Sequence, residues 1–355
     1  MIAYLTEFAL VALVAWAVLM AYHGRFWRAD QRLGAGAGQA DSWPAVAAVI
    51  PARNEAETVE RAVKSLLAQD YPGRFSLVLV DDGSDDGTAS IAQEAAGGAD
   101  NFTILQAGSP PAGWSGKMWA VSRGLAHIGE AQYVLFSDAD IEHDPANLRR
   151  LAAKAVGEKL DMVSLMVLLR CRSGWERLLI PAFVFFFQKL YPFPLVNDPS
   201  RREAAAAGGC MLVGRTALER SGGIEAIRGR LIDDCALAEI VKKKGPIWLG
   251  LTERTRSLRA YENLDDIWNM VARTAFAQLG YSYALLGGTV AVMAVLYLAP
   301  PLAALSGLAE GNSGKLAAGL AGWLLMGKAY GPTLALYRQP AWRACLLPLA
   351  AGLFT

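Results

Sequence analysis

Through its middle the chain alternates short runs of consecutive apolar residues with amphipathic stretches, and near its two ends it carries long apolar runs. Residues 45–50, 76–80, 102–105 and 133–136 each read as a strand, because a strand buried on both faces shows as a continuous apolar run. Residues 57–69 and the stretch ending near Ala126 have helical spacing. Strand alternating with helix predicts an α/β domain: a Rossmann-like, mostly parallel sheet with right-handed crossovers and helices on both faces. The loops after successive strands then gather at one edge, where open α/β sheets bind ligands.

Beyond this core the pattern predicts a helix over 145–156 capped by Asp144, a strand over 161–169, and a strand entered through Gly208 and Gly209. A helix follows from about Leu231 to Lys243, then short strands at 248–251 and 255–258, then a helix over 264–279. Lys242, Lys243 and Lys244 would complement that first helix's dipole and need no ligand.

Residues 5–22 are almost wholly apolar, long enough to cross a bilayer at ~20 residues. Arg25, Arg28 and Arg32 follow, which places that flank in the cytoplasm by the positive-inside rule. With no positive charge before the run and no small-residue cleavage site after it, an uncleaved anchor is expected. Further spans are expected at 281–305 and 316–336, the second holding Lys328. Residues 175–196, aromatic and broken by Pro181, Pro192 and Pro194, suit an element lying in the membrane interface. The expected plan is an anchor (1–24), a basic flank and linker (25–44), a cytosolic domain (45–280, with an interfacial element at 174–196) and a C-terminal membrane region (281–355).

Composition agrees with that division. Of 355 residues 54% are hydrophobic and 19% charged, richer in apolar residues than a soluble average of ~45–50%. The net charge of +1 argues against nucleic acid as a partner. Four scattered cysteines without metal-ligand spacing read as reduced thiols. The three histidines, His23, His127 and His143, are poor catalytic candidates; His143 is expected in a solvated loop.

The chemistry is expected where strands end. Glu55, the pair Asp81–Asp82, and Asp138 and Asp140 all follow strand ends, so the topology collects them in one crevice. Two carboxylates one residue apart can hold a hard divalent cation, and the cation can clamp a diphosphate. D-x-D alone would more often be a solvated turn, and Asp234 alone a helix cap.

The ordered set IPARNE, VDDGSDDGT, a GK-containing loop, SDAD and IDD resembles the family 2 glycosyltransferases of GT-A fold. Residues 110–120, the RTAFAQLGYS segment and the terminal spans look like the hopene-associated subgroup. The resemblance implies that Asp82 accepts a hydrogen bond from the uracil of a UDP-sugar, with Pro51, Arg53 and Glu55 lining base and ribose. It implies that Lys117 meets the diphosphate, and that Asp138 and Asp140 hold Mg²⁺ or Mn²⁺, Asp140 as the direct ligand. Asp234 corresponds to the catalytic base that deprotonates the acceptor hydroxyl in a single, inverting displacement. The membrane-bound Q-x-x-R-W pattern is reduced here to Arg273, which would still reach the diphosphate. That loss argues for single transfer to a lipid over processive synthesis. The implied acceptor is a hopanoid, with polyprenyl phosphate or a glycerolipid as alternatives, at the cytoplasmic face of a bacterial plasma membrane. A non-catalytic nucleotide-binding scaffold and a nucleotidyltransferase are the competing functions.

Overall fold

The computed structural model describes residues 4–34, 42–230 and 232–355, the Arg273 side chain excepted. Most of the expected 25–44 linker's Gly/Ala stretch and Leu231 therefore lie outside the described residues. The chain divides into two compact units, one of residues 31–170 and 195–259, the other of residues 1–30, 171–194 and 260–355. The division cuts the segment 45–280, expected as one domain, in three places, at 170/171, 194/195 and 259/260.

The first unit is built on an eight-stranded sheet. Its strands are β1 (Val46–Ala52), β2 (Phe75–Asp81), β3 (Phe102–Gln106), β4 (Tyr133–Ser137), β5 (Ile141–Glu142), β6 (Met162–Leu168), β7 (Cys210–Gly214) and β8 (Ile247–Ser257). Their order is β3-β2-β1-β4-β7-β6-β8-β5. The β3-β2-β1-β4 half is parallel, as the alternation predicts. β7 reverses that direction, running antiparallel to both β4 and β6. An antiparallel neighbour needs no crossover helix, so the apolar run of β7 gave no sign of its direction. β5, only two residues long, pairs antiparallel with the end of β8 through Ile141 and Ser257. The two short strands expected near 248–258 are one strand, β8.

Alternate residues of β1 (Val46, Ala48, Ile50, Ala52) form one core face with Leu77, Leu79 and Leu135. Val59, Val63 and Leu66 of helix Val59–Leu67 and Leu148, Leu151 and Ala155 of helix Asn147–Gly157 cover it. Each fully buried Val, Leu or Ile side chain among them contributes about 1.5–3 kcal/mol. On the opposite face helix Gly116–Leu125 lies close to the sheet because Gly124 has no Cβ; one there would come within 2.5 Å of Val49. Helix Asn147–Gly157 starts later than expected, and Asp144 does not cap it by position; it accepts from Ala146 N at 3.2 Å and pairs with Arg150 at 2.8 Å.

The second unit is helical. Two of its helical stretches, Leu5–Tyr22 and Tyr283–Glu310, are long and apolar enough to cross a membrane. The third expected span forms a 24-residue helix, Ser313–Leu336, but with Lys315, Lys328 and several glycines it falls short of that apolarity. The expected interfacial element is a continuous helix, Gly174–Leu190, despite Pro181. A capping box of Ser173 and Glu176 opens it, and its Phe185 is buried among the rings of Trp16, Phe26 and Tyr330. The stretch Tyr283–Glu310 contains one π-helical segment, Ala294–Leu298, just before Pro300 and Pro301. Neither proline has an N–H, so the Leu296 carbonyl loses its helical donor on either α or π counting. The Trp16 indole supplies one instead, donating to Leu296 O at 3.0 Å.

Candidate active site

The loops after β1, β2 and β4 meet at one edge, and hydrogen bonds fix them to each other. Asp81 at the end of β2 is buried and accepts from Ser84 N, Ser84 Oγ and Gln106 Nε2, so it builds the turn and leaves the next residue, Asp82, facing outward from it. Asn54 N donates to Ser84 Oγ, Glu55 N to Thr88 Oγ1 and Ala56 N to Asp86 Oδ2, which ties the loop after β1 to the loop after β2. Asp82 is backed by Gly116, where any Cβ would run into its carboxylate. Burial raises the Asp82 carboxyl above the usual range, with Arg53 at 3.8 Å opposing the rise.

Two ion-pair clusters occupy the crevice. In the first, Lys117 Nζ lies 3.0 Å from Asp138 Oδ1 and 3.2 Å from Asp233 Oδ2. Burial works against the lysine's charge, but Asp138 and Asp233 override it and hold the ammonium above the ordinary range. In the second, Arg259 Nε donates to Asp140 Oδ2 at 3.0 Å while its Nη2 pairs with Glu55, and Ser257 Oγ donates to Asp140 at 3.2 Å. The β5–β8 pairing brings Ser257 and Arg259 there. Burial, then the nearby Asp138, raises the Asp140 carboxyl, and Arg259 counters them. Sequence reasoning gave no site role to Arg259 or to Asp233.

Asp234 stands in the first turn of helix Asp233–Lys242, whose N-cap position is Ile232. It is not the cap itself. Its Oδ2 accepts from Gly208 N at 2.9 Å and its Oδ1 from Cys235 N at 2.7 Å. Burial, reinforced by Asp233, pushes its carboxyl up to about 6. A Cβ on Gly208 would make only ordinary contact with Asp234 Oδ2, at 3.4 Å, so the bond from Gly208 N does not depend on glycine. Pro51, Lys117, Ser137, Asp138, Gly208 and Asp233 share the lining of one pocket with apolar residues such as Phe136 and Met211.

The structure thus brings Pro51, Lys117, Asp138 and, beside them, Asp233 and Asp234 to one place, with Asp140 and Glu55 joined by Arg259. Arg273 lies on helix Leu264–Gln278 of the helical unit, and its side chain is outside the described residues. His143 corrects the expectation of a solvated loop: it is buried, bonded to Ser137 Oγ at 2.9 Å and Asn147 Nδ2 at 3.0 Å, and burial pulls it down to about 3. It is a neutral structural group. Lys242 also differs from expectation, since its ammonium donates to the carbonyls of Leu195, Val196 and Glu203.

Asp138 and Asp140 offer two hard oxygen donors, and among the described residues no group of three His, Cys, Asp or Glu side chains is placed to hold an ion. That donor set fits Mg²⁺ or Mn²⁺, which is held by one or two carboxylates and completes its shell with water and substrate phosphates.

A mixed, mostly parallel α/β sheet with acidic strand-end loops, a lysine and a half-buried carboxylate in one crevice is the arrangement of a GT-A fold. Residues 47–222 match the family described as glycosyl transferase family 2. It is 31% identical over 172 residues to the undecaprenyl-phosphate 4-deoxy-4-formamido-L-arabinose transferase of Shewanella sediminis, covering 47% of this chain and 46% of that protein. It is 32% identical over 104 residues to the 4,4'-diaponeurosporenoate glycosyltransferase of Staphylococcus haemolyticus, covering 29% and 26%. The chain spans less than half the length of these curated relatives. Its fold is similar to that of the mannosyltransferase PcManGT from Pyrobaculum calidifontis in complex with GDP-Man and Mn²⁺, with a TM-score of 0.52 at 18% identity over 98% of this chain and 97% of that one.

Proposed function

We propose that this protein is a membrane-bound, inverting glycosyltransferase that moves a sugar from a nucleotide-sugar donor, UDP-linked in the first instance, to a lipid acceptor at the cytoplasmic face. The observation that carries the proposal is Asp234: a carboxylate held by two backbone N–H groups, raised to about 6, beside the lysine and acidic pair of a domain that matches family 2. A carboxylate with that value is ionised at neutral pH yet close enough to it to accept a proton. Asp234 takes the proton from the acceptor hydroxyl as that oxygen attacks the anomeric carbon, and a single displacement inverts the centre. Asp82 accepts from the base, the Pro51–Arg53–Glu55 loop lines base and ribose, and Lys117 meets the diphosphate. A divalent cation on Asp138 and Asp140 would supply charge neutralisation of the departing nucleoside diphosphate.

The acceptor proposed first is a hopanoid alcohol. A relative named for undecaprenyl phosphate and another named for a carotenoid acid support the wider class of isoprenoid lipid acceptors. The two apolar helices support a bacterial plasma-membrane location.

The test incubates the full chain in detergent with UDP- or GDP-sugars, Mn²⁺ and lipid extract, and follows nucleoside diphosphate release and lipid-linked sugar. Release that falls roughly 10²–10⁴-fold in Asp234→Asn is expected. Equal release from parent and variant favours a scaffold, and pyrophosphate as the product favours a nucleotidyltransferase.

A further inference from the structure

The two carboxylates expected to hold a divalent cation are already neutralised from within the chain. Lys117 sits on Asp138 at 3.0 Å, and Arg259 sits on Asp140 at 3.0 Å. The two cations are not equivalent. Arg259 is tied to Asp140 by its Nε and to Glu55 by its Nη2, and Ser257 also donates to Asp140, so that cluster is braced on three sides. Lys117 is a single flexible stem whose ammonium is shared between Asp138 and Asp233, and Asp233 gives it a second anchor on another element. It is half-exposed, with 43% of its side chain open to solvent.

We infer that Lys117 is an exchangeable internal counterion, so that its departure from Asp138 couples the binding of a divalent cation to that of a nucleoside diphosphate. The inference rests on the proposed reading in taking those two as the ligands. A divalent ion arriving at Asp138 meets the lysine's positive charge a few ångströms away and is repelled. A diphosphate arriving alone meets Asp138, Asp233 and Asp234, with no uncommitted ammonium among them. When both arrive, the diphosphate draws Lys117 off Asp138, the cation replaces it there, and each ligand removes the obstacle to the other. Such coupling is reciprocal: whatever factor the cation adds to diphosphate affinity, the diphosphate adds to cation affinity.

The experiment is calorimetric titration of the full chain in detergent with Mn²⁺ alone, UDP alone, GDP alone, and each nucleotide with Mn²⁺ present. In the parent, each ligand tightens the other by roughly tenfold or more. Lys117→Met and Lys117→Gln, two replacements of different polarity, bind Mn²⁺ alone about tenfold more tightly than the parent, and the coupling falls by about the same factor. Lys117→Arg, which keeps the charge, stays near the parent in its affinity for Mn²⁺ alone. A lysine that only contacts phosphate would leave nucleotide-free Mn²⁺ binding unchanged in all three, and that result overturns the inference. A parent whose Mn²⁺ affinity is the same with and without nucleotide also overturns it. These titrations need no sugar transfer, so they fail or succeed independently of the Asp234→Asn product assay.

Discussion

Replacing Gly116 by alanine would put a methyl group against the carboxylate of Asp82. Gly116 is the first residue of helix Gly116–Leu125, and a Cβ there runs into Asp82 Oδ2 while lying 3.2 Å from Cγ and 3.3 Å from Oδ1. The carboxylate must retreat by roughly 1 Å to regain ordinary van der Waals contact near ~3.5 Å. Alanine is the better helix former by up to about 1 kcal/mol, and the group it displaces is the end of a side chain and not backbone. Stability therefore changes by no more than about 1 kcal/mol. A retreat of that size takes an acceptor outside the ~2.7–3.2 Å window of a hydrogen bond. If Asp82 reads the base of the nucleotide, the loss is about 1.5–3 kcal/mol, the value of a hydrogen bond to a charged group. That corresponds to a rise in Kd of roughly 10- to 150-fold. Calorimetry with UDP and Mn²⁺ measures the affinity, and denaturant unfolding measures the stability. A UDP Kd within about twofold of the parent would refute the role given to Asp82.

Three further outcomes are expected. The rate at low substrate should rise with pH through about 6 and level above it, because Asp234 must be ionised to act as a base. Because its folded value lies above the ordinary 3.8, its contribution to stability has the opposite trend, greatest below pH 4 and declining by about 3 kcal/mol as pH climbs through 6. Parent-minus-Asp234→Asn unfolding energies that do not change over that window would contradict the burial argument. In the helical unit, Trp16→Phe should cost about 1–3 kcal/mol by orphaning the Leu296 carbonyl. The cost should shrink in a Pro300→Ala background, which restores a backbone donor; equal costs in both backgrounds, read by unfolding in detergent, would show that the indole bond is not the cause.

The sequence made legible whatever follows from local pattern. β1 to β4 and the gathering of Glu55, Asp82, Asp138 and Asp140 at one edge follow from apolar runs and crossover handedness. What was not legible depends on pairing across long separations. Arg259 reaches Asp140 from 119 residues away, and only the two-residue β5–β8 pairing brings it there. The one hint was a strand ending in alternate arginines, Arg254 and Arg256, just before Arg259. His143 was expected in a solvated loop, yet Ser137 and Asn147 satisfy both ring nitrogens in the interior. The direction of β7 and the departure of residues 171–194 to the helical unit are topological facts that an apolar run does not encode.

The bond from Trp16 to Leu296 also sets a schedule. Donor and acceptor are 280 residues apart, so a ribosome adding ~5–20 residues per second makes the acceptor roughly 15–60 s after the donor. For that interval the first helix has none of its final neighbours from residues 283–336, and its almost wholly apolar surface must be sheltered by something else. A lipid bilayer or an insertion factor would serve as that temporary host. The finished chain then exchanges the host's contact for an indole clasp on a proline-freed carbonyl.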